Sequence, residues 1–263
     1  MKLETLVSCV DKDPEALAAS MGLEGDAVIV NQCDRDGALV IEKDGSRIRI
    51  FECNERGVGK SRNKAMDEAE AGIILFSDED IVYDKGYSRK ILRCFEKLPM
   101  ADILLFNLDV NEKRRTYHTE RAKRVTPLSC GRYPAFCCAA RLEALRKAGI
   151  RYSLLFGGGA EFQNGEDSLF FMDCLKNGLK IFALPVHIGR EEERPSTWFK
   201  GYDEKFFFDR GVLYHFLYGA FAYIWGLRFV ISKRKIMCCE VPPHNAVKYL
   251  FSGIRKGREL CRQ

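Results

Sequence analysis

None of the eleven cysteines in this 263-residue chain stands in the C-x-x-C spacing of a zinc site or a redox pair. Cys137-Cys138 and Cys238-Cys239 are adjacent doublets, and Cys9, Cys33 and Cys174 fall in apolar runs where cysteine behaves as a small hydrophobe. The expectation is a reducing, cytoplasmic setting with neither disulfides nor zinc. An excess of one charge is also missing. The formal net charge of +5 is too small to argue for nucleic acid and at most hints at an acidic surface or ligand. The Walker and G-x-G-x-x-G spacings are absent, which speaks against nucleotide hydrolysis and dinucleotide binding. No internal repeat or low-complexity segment stands out. The opening Met1-Lys2-Leu3-Glu4-Thr5-Leu6-Val7 reads as a short strand with an acid inside it, not as a signal peptide.

What is present is ordinary for a globular protein, with 46% hydrophobic and 30% charged residues. The length suits one large α/β domain, or a core with an appendage. Residues 3–10 and 27–30 read as strands around a helix at 14–21 that has a proline near its start. Residues 39–41 and 48–51 flank Lys43-Asp44-Gly45-Ser46 as a hairpin. A loop and helix over 57–71 lead into Ile73-Ile74-Leu75-Phe76, four apolar residues that predict a strand buried on both faces. Helices are expected at 85–98, 142–148 and 168–177, and strands at 103–108, 135–140 and 181–184, with His187 just past the last. The cationic stretch 111–124, with Lys113, Arg114 and Arg115, is expected to be a loop or an edge excursion. This alternation predicts an α/β sandwich with a mostly parallel sheet.

The composition changes near residue 205. In residues 212–231 only Arg228 is formally charged, and Lys233-Arg234-Lys235 follow. One helix over that stretch would be ~30 Å long, enough to cross a bilayer. Positive charge flanks both sides, and His215 and aromatic rings lie along its length, which fits an interfacial helix on anionic lipid better. The plain reading is a buried helix over the core or a homodimer contact.

The apolar run at 73–76 ends in Ser77-Asp78-Glu79-Asp80. In open α/β sheets ligands collect beyond the carboxyl ends of strands, and Asp78 and Asp80, two apart, face the same crevice if strand geometry persists. Hard oxygen ligands favour Mg²⁺ or Mn²⁺, although an acidic strand end needs no metal at all. Upstream, Gly57-Val58-Gly59-Lys60-Ser61-Arg62-Asn63 offers helix-start N–H groups with cations beside them, suited to a diphosphate or to plain solvation of a helix start. Downstream, Glu166-Asp167 precedes a helix whose dipole favours acids.

Taken together, the strand Val28-Ile29-Val30 with its polar turn, the Gly57–Asn63 loop, the 74–80 segment and Gly165-Glu166-Asp167 resemble family 2 glycosyltransferases of the GT-A fold, over about residues 3–200. The resemblance implies a GT-A type Rossmann-like catalytic domain at 1–204 and a helical, basic extension at 205–263. It implies a nucleotide-diphospho-sugar donor held by Asp11, Gln32, Lys60, Arg62 and Asp78. Asp80 is then the direct metal ligand, with Asp78 near both ribose and metal, and His187 is a candidate third ligand if it is not merely structural. Asp167 would be the general base for the acceptor hydroxyl, with Glu166 beside it, and displacement from the opposite face would invert the anomeric centre. Trp198, in a polar loop at 191–198, would cover the sugar or simply pack. Many relatives carry two acids where this chain has Asn31-Gln32, so pairing of Gln32 with a uracil or thymine edge is the expectation there.

The expected role is an inverting, UDP-sugar-dependent transferase acting on a saccharide or glycolipid acceptor in cell-surface polysaccharide or glycolipid synthesis, cytoplasmic or peripheral on the inner face of the membrane. A sugar-phosphate nucleotidyltransferase would carry a glycine-rich signature after its first strand, where Cys9-Val10-Asp11-Lys12-Asp13 has no glycine. A carbohydrate- or nucleotide-binding module without catalysis is the remaining alternative.

Overall fold

The computed structural model describes residues 1–43, 45–112, 115–192 and 201–261, with nothing specified for the Lys43 side chain. Asp44 of the hairpin turn, Lys113, Arg114 and the loop residues 193–200, Trp198 among them, lie outside the described residues.

The sheet is built outward from β1 (Leu3–Val10), which pairs in parallel with β2 (Asp26–Gln32) on one side and β5 (Ile73–Asp78) on the other. Val28, Ile29 and Val30 of β2 and Ile73 to Phe76 of β5 are essentially inaccessible, as apolar runs without alternation require when both faces are covered. In register, Val10 stands opposite Gln32 and Ser8 opposite Asp78. The ends of the three central strands therefore deliver Asp11, Gln32 and Asp78 to one edge of the sheet.

β4 (Ser46–Cys53) extends the sheet in parallel beyond β2, and β3 (Gly37–Lys43) closes that side as the expected antiparallel hairpin. On the other side β9 (Cys138–Arg141) runs antiparallel between β5 and β7 (Ile103–Asp109). β10 (Ile181–Glu191) runs parallel to β7, and the short β6 (Ile81–Tyr83) and β8 (Lys123–Arg124) pair antiparallel with β10. The strands β1, β2, β4, β5, β7 and β10 share one direction, so the class is α/β with a mostly parallel central sheet.

Helix α1 (Pro14–Ser20) starts with proline at its first position and Asp13 as cap, accepting from the N–H groups of Glu15 and Ala16. α2 (Val58–Glu68) lies on β1 and β2, followed by α3 (Tyr87–Lys97), α4 (Leu142–Lys147) and α5 (Glu166–Lys176).

Five elements differ from the sequence expectation. The strand expected at 135–140 starts only at Cys138, after a 3₁₀ turn over Ala135–Cys137. α5 begins at Glu166, so Glu166 and Asp167 form its first turn and do not precede it. β10 continues well beyond residue 184 and carries His187 inside the strand. Pro185, which has no N–H for a ladder, coincides with the register shift between Ala183 and His187 that lets the strand resume. β6 follows the acidic triplet directly. Finally, residues 212–231 do not form one helix. They divide between α6 (Glu204–Tyr218) and α7 (Ala222–Met237), broken at Gly219, where φ is +54°. α8 (Pro243–Leu260) completes the chain, and among the described residues no helix is long and apolar enough to cross a membrane.

α6 serves two apolar clusters. Val212, Leu213 and Leu217 join the main core beside the sheet, while Phe206 and Phe207 pack with Ala222, Val230, Leu250 and Ile254 of α7 and α8.

Candidate active site

The site is organised by Arg62, whose side chain is 4% exposed. It comes from the second turn of α2, and its face lies over the Tyr152 ring, 5.1 Å from the centroid. Nη2 donates to Asp78 Oδ1 at 2.9 Å, at the end of β5, and Nη1 donates to Asp167 Oδ1 at 2.7 Å, in the first turn of α5. Glu166 Oε1 stands 3.8 Å from the same Nη1. Burial works against the charge, but Asp78 and Asp167 outweigh it and hold the guanidinium well above its ordinary range. Its Nε is buried without a hydrogen-bond partner among the described residues.

Asp167 is fixed from two directions, since its Oδ2 accepts from the Ala135 N–H at 2.9 Å. Burial raises its carboxyl, opposed by Arg62 and reinforced by Asp78. Glu166 rises further, to about 7, chiefly through burial and then through the neighbouring Asp167. Glu166 reaches this position because residue 157 is glycine. A Cβ there would sit 2.9 Å from Glu166 Cδ and 2.7 Å from Val58 Cγ1.

The loop ahead of α2 is tied to the strand ends. Gln32 is buried, its Oε1 accepting from Gly57 N–H at 2.7 Å and its Nε2 donating to the Cys9 carbonyl at 3.4 Å. Arg56 donates to the Gln32 carbonyl and to both oxygens of Asp11, at 2.9 and 3.2 Å. Asn63 exchanges two hydrogen bonds with the Tyr152 backbone, at 2.8 and 2.9 Å, and Val58 N–H reaches the Gly158 carbonyl at 2.9 Å. Lys60 faces outward and pairs with Glu55 at 2.9 Å.

Two networks thus flank the start of α2, one joining Asp11 and Gln32 through Arg56 and Gly57, the other joining Asp78, Glu166 and Asp167 through Arg62. Glu79 turns back, as expected, accepting from Val10 N–H at 2.8 Å with Lys12 at 3.2 Å. The Asp80 carbonyl accepts from Glu192 N–H at 2.7 Å. The expected ligand set of Asp78, Asp80 and His187 is not gathered, and among the described residues no three His, Cys, Asp or Glu side chains assemble as a metal site. His187 is held elsewhere through Nδ1, 2.9 Å from Asp84 Oδ2, while its buried Nε2 makes no hydrogen bond among the described residues although Asp109 Oδ2 lies 3.2 Å away. Its position inside β10 accounts for this. Asp78 Oδ2, by contrast, makes no hydrogen bond among the described residues, and the side chain is 32% exposed. Two carboxylates at a strand end fit a hard divalent cation that takes its remaining ligands from phosphate and water, whereas His187 does not fit with them.

Sequence reasoning missed Tyr152 as the platform for Arg62, the Ala135 N–H that fixes Asp167, and the carboxylates flanking His187. Ala135 carries no sequence signal for a backbone donor, whereas Asn63 lay within the loop motif and its amide was a usable hint.

The family model described as glycosyl transferase family 2 matches residues 8–151. The chain belongs to this family. The match spans Asp11, Gln32, Lys60, Arg62, Asp78 and Asp80 and stops before Glu166, Asp167 and His187. No curated protein matches the chain in sequence. Among solved structures it is similar to S. aureus TarS 1-349, at 17% identity and TM-score 0.64, over 99% of this chain and 82% of that one. The complex of TarS 1-349 with UDP-GlcNAc aligns at 17% identity and TM-score 0.63, over 91% and 74% of the two chains. The mannosyltransferase PcManGT from Pyrobaculum calidifontis, in complex with GDP-Man and Mn²⁺, aligns at 12% identity and TM-score 0.54, over 98% and 87%. These likenesses support the GT-A fold, and the alignment with TarS 1-349 covers the helical C-terminal part as well. The chain is a family 2 glycosyltransferase.

Proposed function

We propose that this glycosyltransferase moves a sugar from a nucleotide-diphospho-sugar, with a UDP-sugar favoured, to a hydroxyl of a saccharide or glycolipid acceptor, inverting the anomeric centre. The observation that carries the reading is the bridge made by Arg62, which fixes Asp78 and Asp167 about a single buried cation. Asp78 and the loop anchored by Gln32 form the donor side, and Asp167 is the general base. Its carboxylate is oriented by Arg62 and the Ala135 N–H, and the lone pairs they leave are available to take the acceptor proton as the oxygen attacks. Glu166 is the neighbouring acid, placed to bind the acceptor, and Asp167 helps hold its carboxyl protonated.

Asp78 and Asp80 are the residues that would hold Mg²⁺ or Mn²⁺. Bound there, the ion would offset charge on the departing diphosphate. The UDP preference draws support from the UDP-GlcNAc complex of the similar TarS structure, and metal use from the Mn²⁺ complex of the mannosyltransferase. A glycolipid acceptor, the substrate of cell-surface glycan synthesis, would bring the site next to a membrane surface. A sugar-phosphate nucleotidyltransferase remains disfavoured by the glycine-free segment after β1.

The test joins binding to turnover. UDP and GDP are screened by thermal shift with and without Mn²⁺, since a ligand of the folded state raises the melting temperature. The expected result is a UDP shift enlarged by Mn²⁺, retained in Asp167→Asn while turnover of UDP-sugars is lost. Absence of a shift with either nucleotide under both conditions removes the donor-site assignment. A shift with no turnover in the unmodified protein, across UDP-sugars and saccharide or lipid acceptors, favours the binding module.

A further inference from the structure

We propose that the outward face of α7 docks the protein onto an anionic membrane surface. The two faces of this helix have opposite characters. Ala222, Gly226 and Val230, four residues apart, are buried against α6 and α8. Ile224, Leu227 and Ile231 recur at spacings of three and four on the other side, and Lys235 continues the stripe. Their exposures are 66%, 43% and 54%, and Phe221, just before the helix, is 65% exposed. Of the twelve large apolar side chains exposed among the described residues, six lie between Phe221 and Ile236. Such clustering marks a surface that is covered in use, unlike apolar residues scattered singly.

The charge around the stripe decides what covers it. α7 contains Arg228, Lys233, Arg234 and Lys235 and no acid, all four cations are exposed, and none has an ion-pair partner among the described residues. Between residues 219 and 261 there are eight Lys or Arg against two Glu, so the positive excess of the whole chain is concentrated in α7 and α8. An apolar stripe that turns basic at its end matches the interfacial region of a bilayer, where side chains enter the acyl boundary and cations meet anionic headgroups. A second copy docked through the same face would oppose one set of unpaired cations with another, with no acid on α7 to answer them. Nucleic acid would satisfy the cations and leave the isoleucines without a complement. The helix lies along the surface, in keeping with a length of about 24 Å for its sixteen residues.

The experiment is flotation of the purified full chain with vesicles of phosphatidylcholine alone and of phosphatidylcholine with phosphatidylglycerol. The expected result is flotation with the anionic vesicles only, weakened by high salt. Lys233→Gln, Arg234→Gln and Lys235→Gln should each lower the affinity about fivefold. The combined Ile224→Ser, Leu227→Ser and Ile231→Ser variant should lose at least about tenfold, while its melting temperature stays unchanged because these side chains are exposed. Failure to float with anionic vesicles overturns the proposal, as does equal flotation with neutral ones or wild-type binding by the serine variant. A dimer in solution that the serine variant dissociates, without vesicle binding by the wild type, assigns the face to a second copy and likewise overturns it. None of these readouts depends on the identity of the sugar donor.

Discussion

Asp78 and Asp167, delivered by a strand end and a helix start that are far apart in sequence, share one guanidinium, with Arg62 at 2.9 Å from the first and 2.7 Å from the second. A planar fork meets both carboxylates at once, which a single ammonium on a flexible stem does not. Arg62→Lys is expected to keep the buried charge and release one of the two acids. The expected cost is about 2–4 kcal/mol in unfolding free energy, since a buried ionic partner is left uncompensated. Donor turnover should fall at least about tenfold, because each 1.4 kcal/mol of lost positioning is a factor of ten. Denaturant midpoints and steady-state turnover of Arg62→Lys beside Arg62→Ala check this, and wild-type stability in the lysine variant would contradict the bridge.

The acid pair at the start of α5 makes activity and stability depend on pH in opposite senses. Glu166 rises from its ordinary 4.5 to about 7 on folding, so the folded state holds that proton more tightly than the unfolded chain. The stability this contributes is fully present below about 4.5 and is lost as pH rises through about 7. The full swing is about 3 kcal/mol. Glu166→Gln should therefore gain stability relative to wild type at about pH 8 and lose the advantage towards about pH 4.5. With Asp167 as the proposed base, turnover should rise with pH in the wild type as that carboxyl ionises. Glu166 holds its proton up to about 7 and is therefore neutral while Asp167 ionises, so Glu166→Gln should leave the acidic limb where it is in the wild type. A Glu166→Gln enzyme without turnover at any pH would instead make Glu166 the base.

Much of the proposed donor half was legible because it follows local rules. The unbroken apolar run at 73–76 announced β5, and the acids behind it announced the site. The hairpin and the helix after Gly57 were equally local. The partner of Arg62 was not legible, because Asp167 lies 105 positions away and only packing brings them together. A strand at 181–184 with His187 just past it is what the sequence suggests, yet β10 shifts register around Pro185 and resumes, taking His187 into the strand. The apolar stretch at 212–231 read as one helix, and only the backbone at Gly219 reveals two. Their separation turns part of the stretch outward and makes the exposed face of α7.

Gln32 replaces an expected base-reading acid with an anchor. Its amide spans Gly57 N–H and the Cys9 carbonyl, so its first task is to hold the loop before α2 against β1. Gln32→Leu leaves the Gly57 N–H without that partner, at a cost of about 1–3 kcal/mol. Nucleotide affinity should fall for UDP and GDP alike, which calorimetric titration of both measures. A variant that loses UDP while keeping GDP would show that Gln32 reads the base directly.

Gly59 packs closely on the backbone of the segment that carries Tyr152. A Cβ at this position of α2 would lie 2.4 Å from the Ser153 carbonyl oxygen, a backbone atom that cannot rotate away. Alanine would ordinarily favour a helix. Here Gly59→Ala must push the start of α2 away from the segment that carries Tyr152, and Arg62 moves with it. The expected destabilisation is about 1–3 kcal/mol, with a loss of turnover larger than the loss of stability explains. Gly72→Ala is the matched control, since no atom lies within 4 Å of a Cβ built there. Thermal melts and turnover measured side by side give the comparison. If Gly59→Ala behaves like the control, the close packing of α2 on the 152–158 loop is not what positions Arg62.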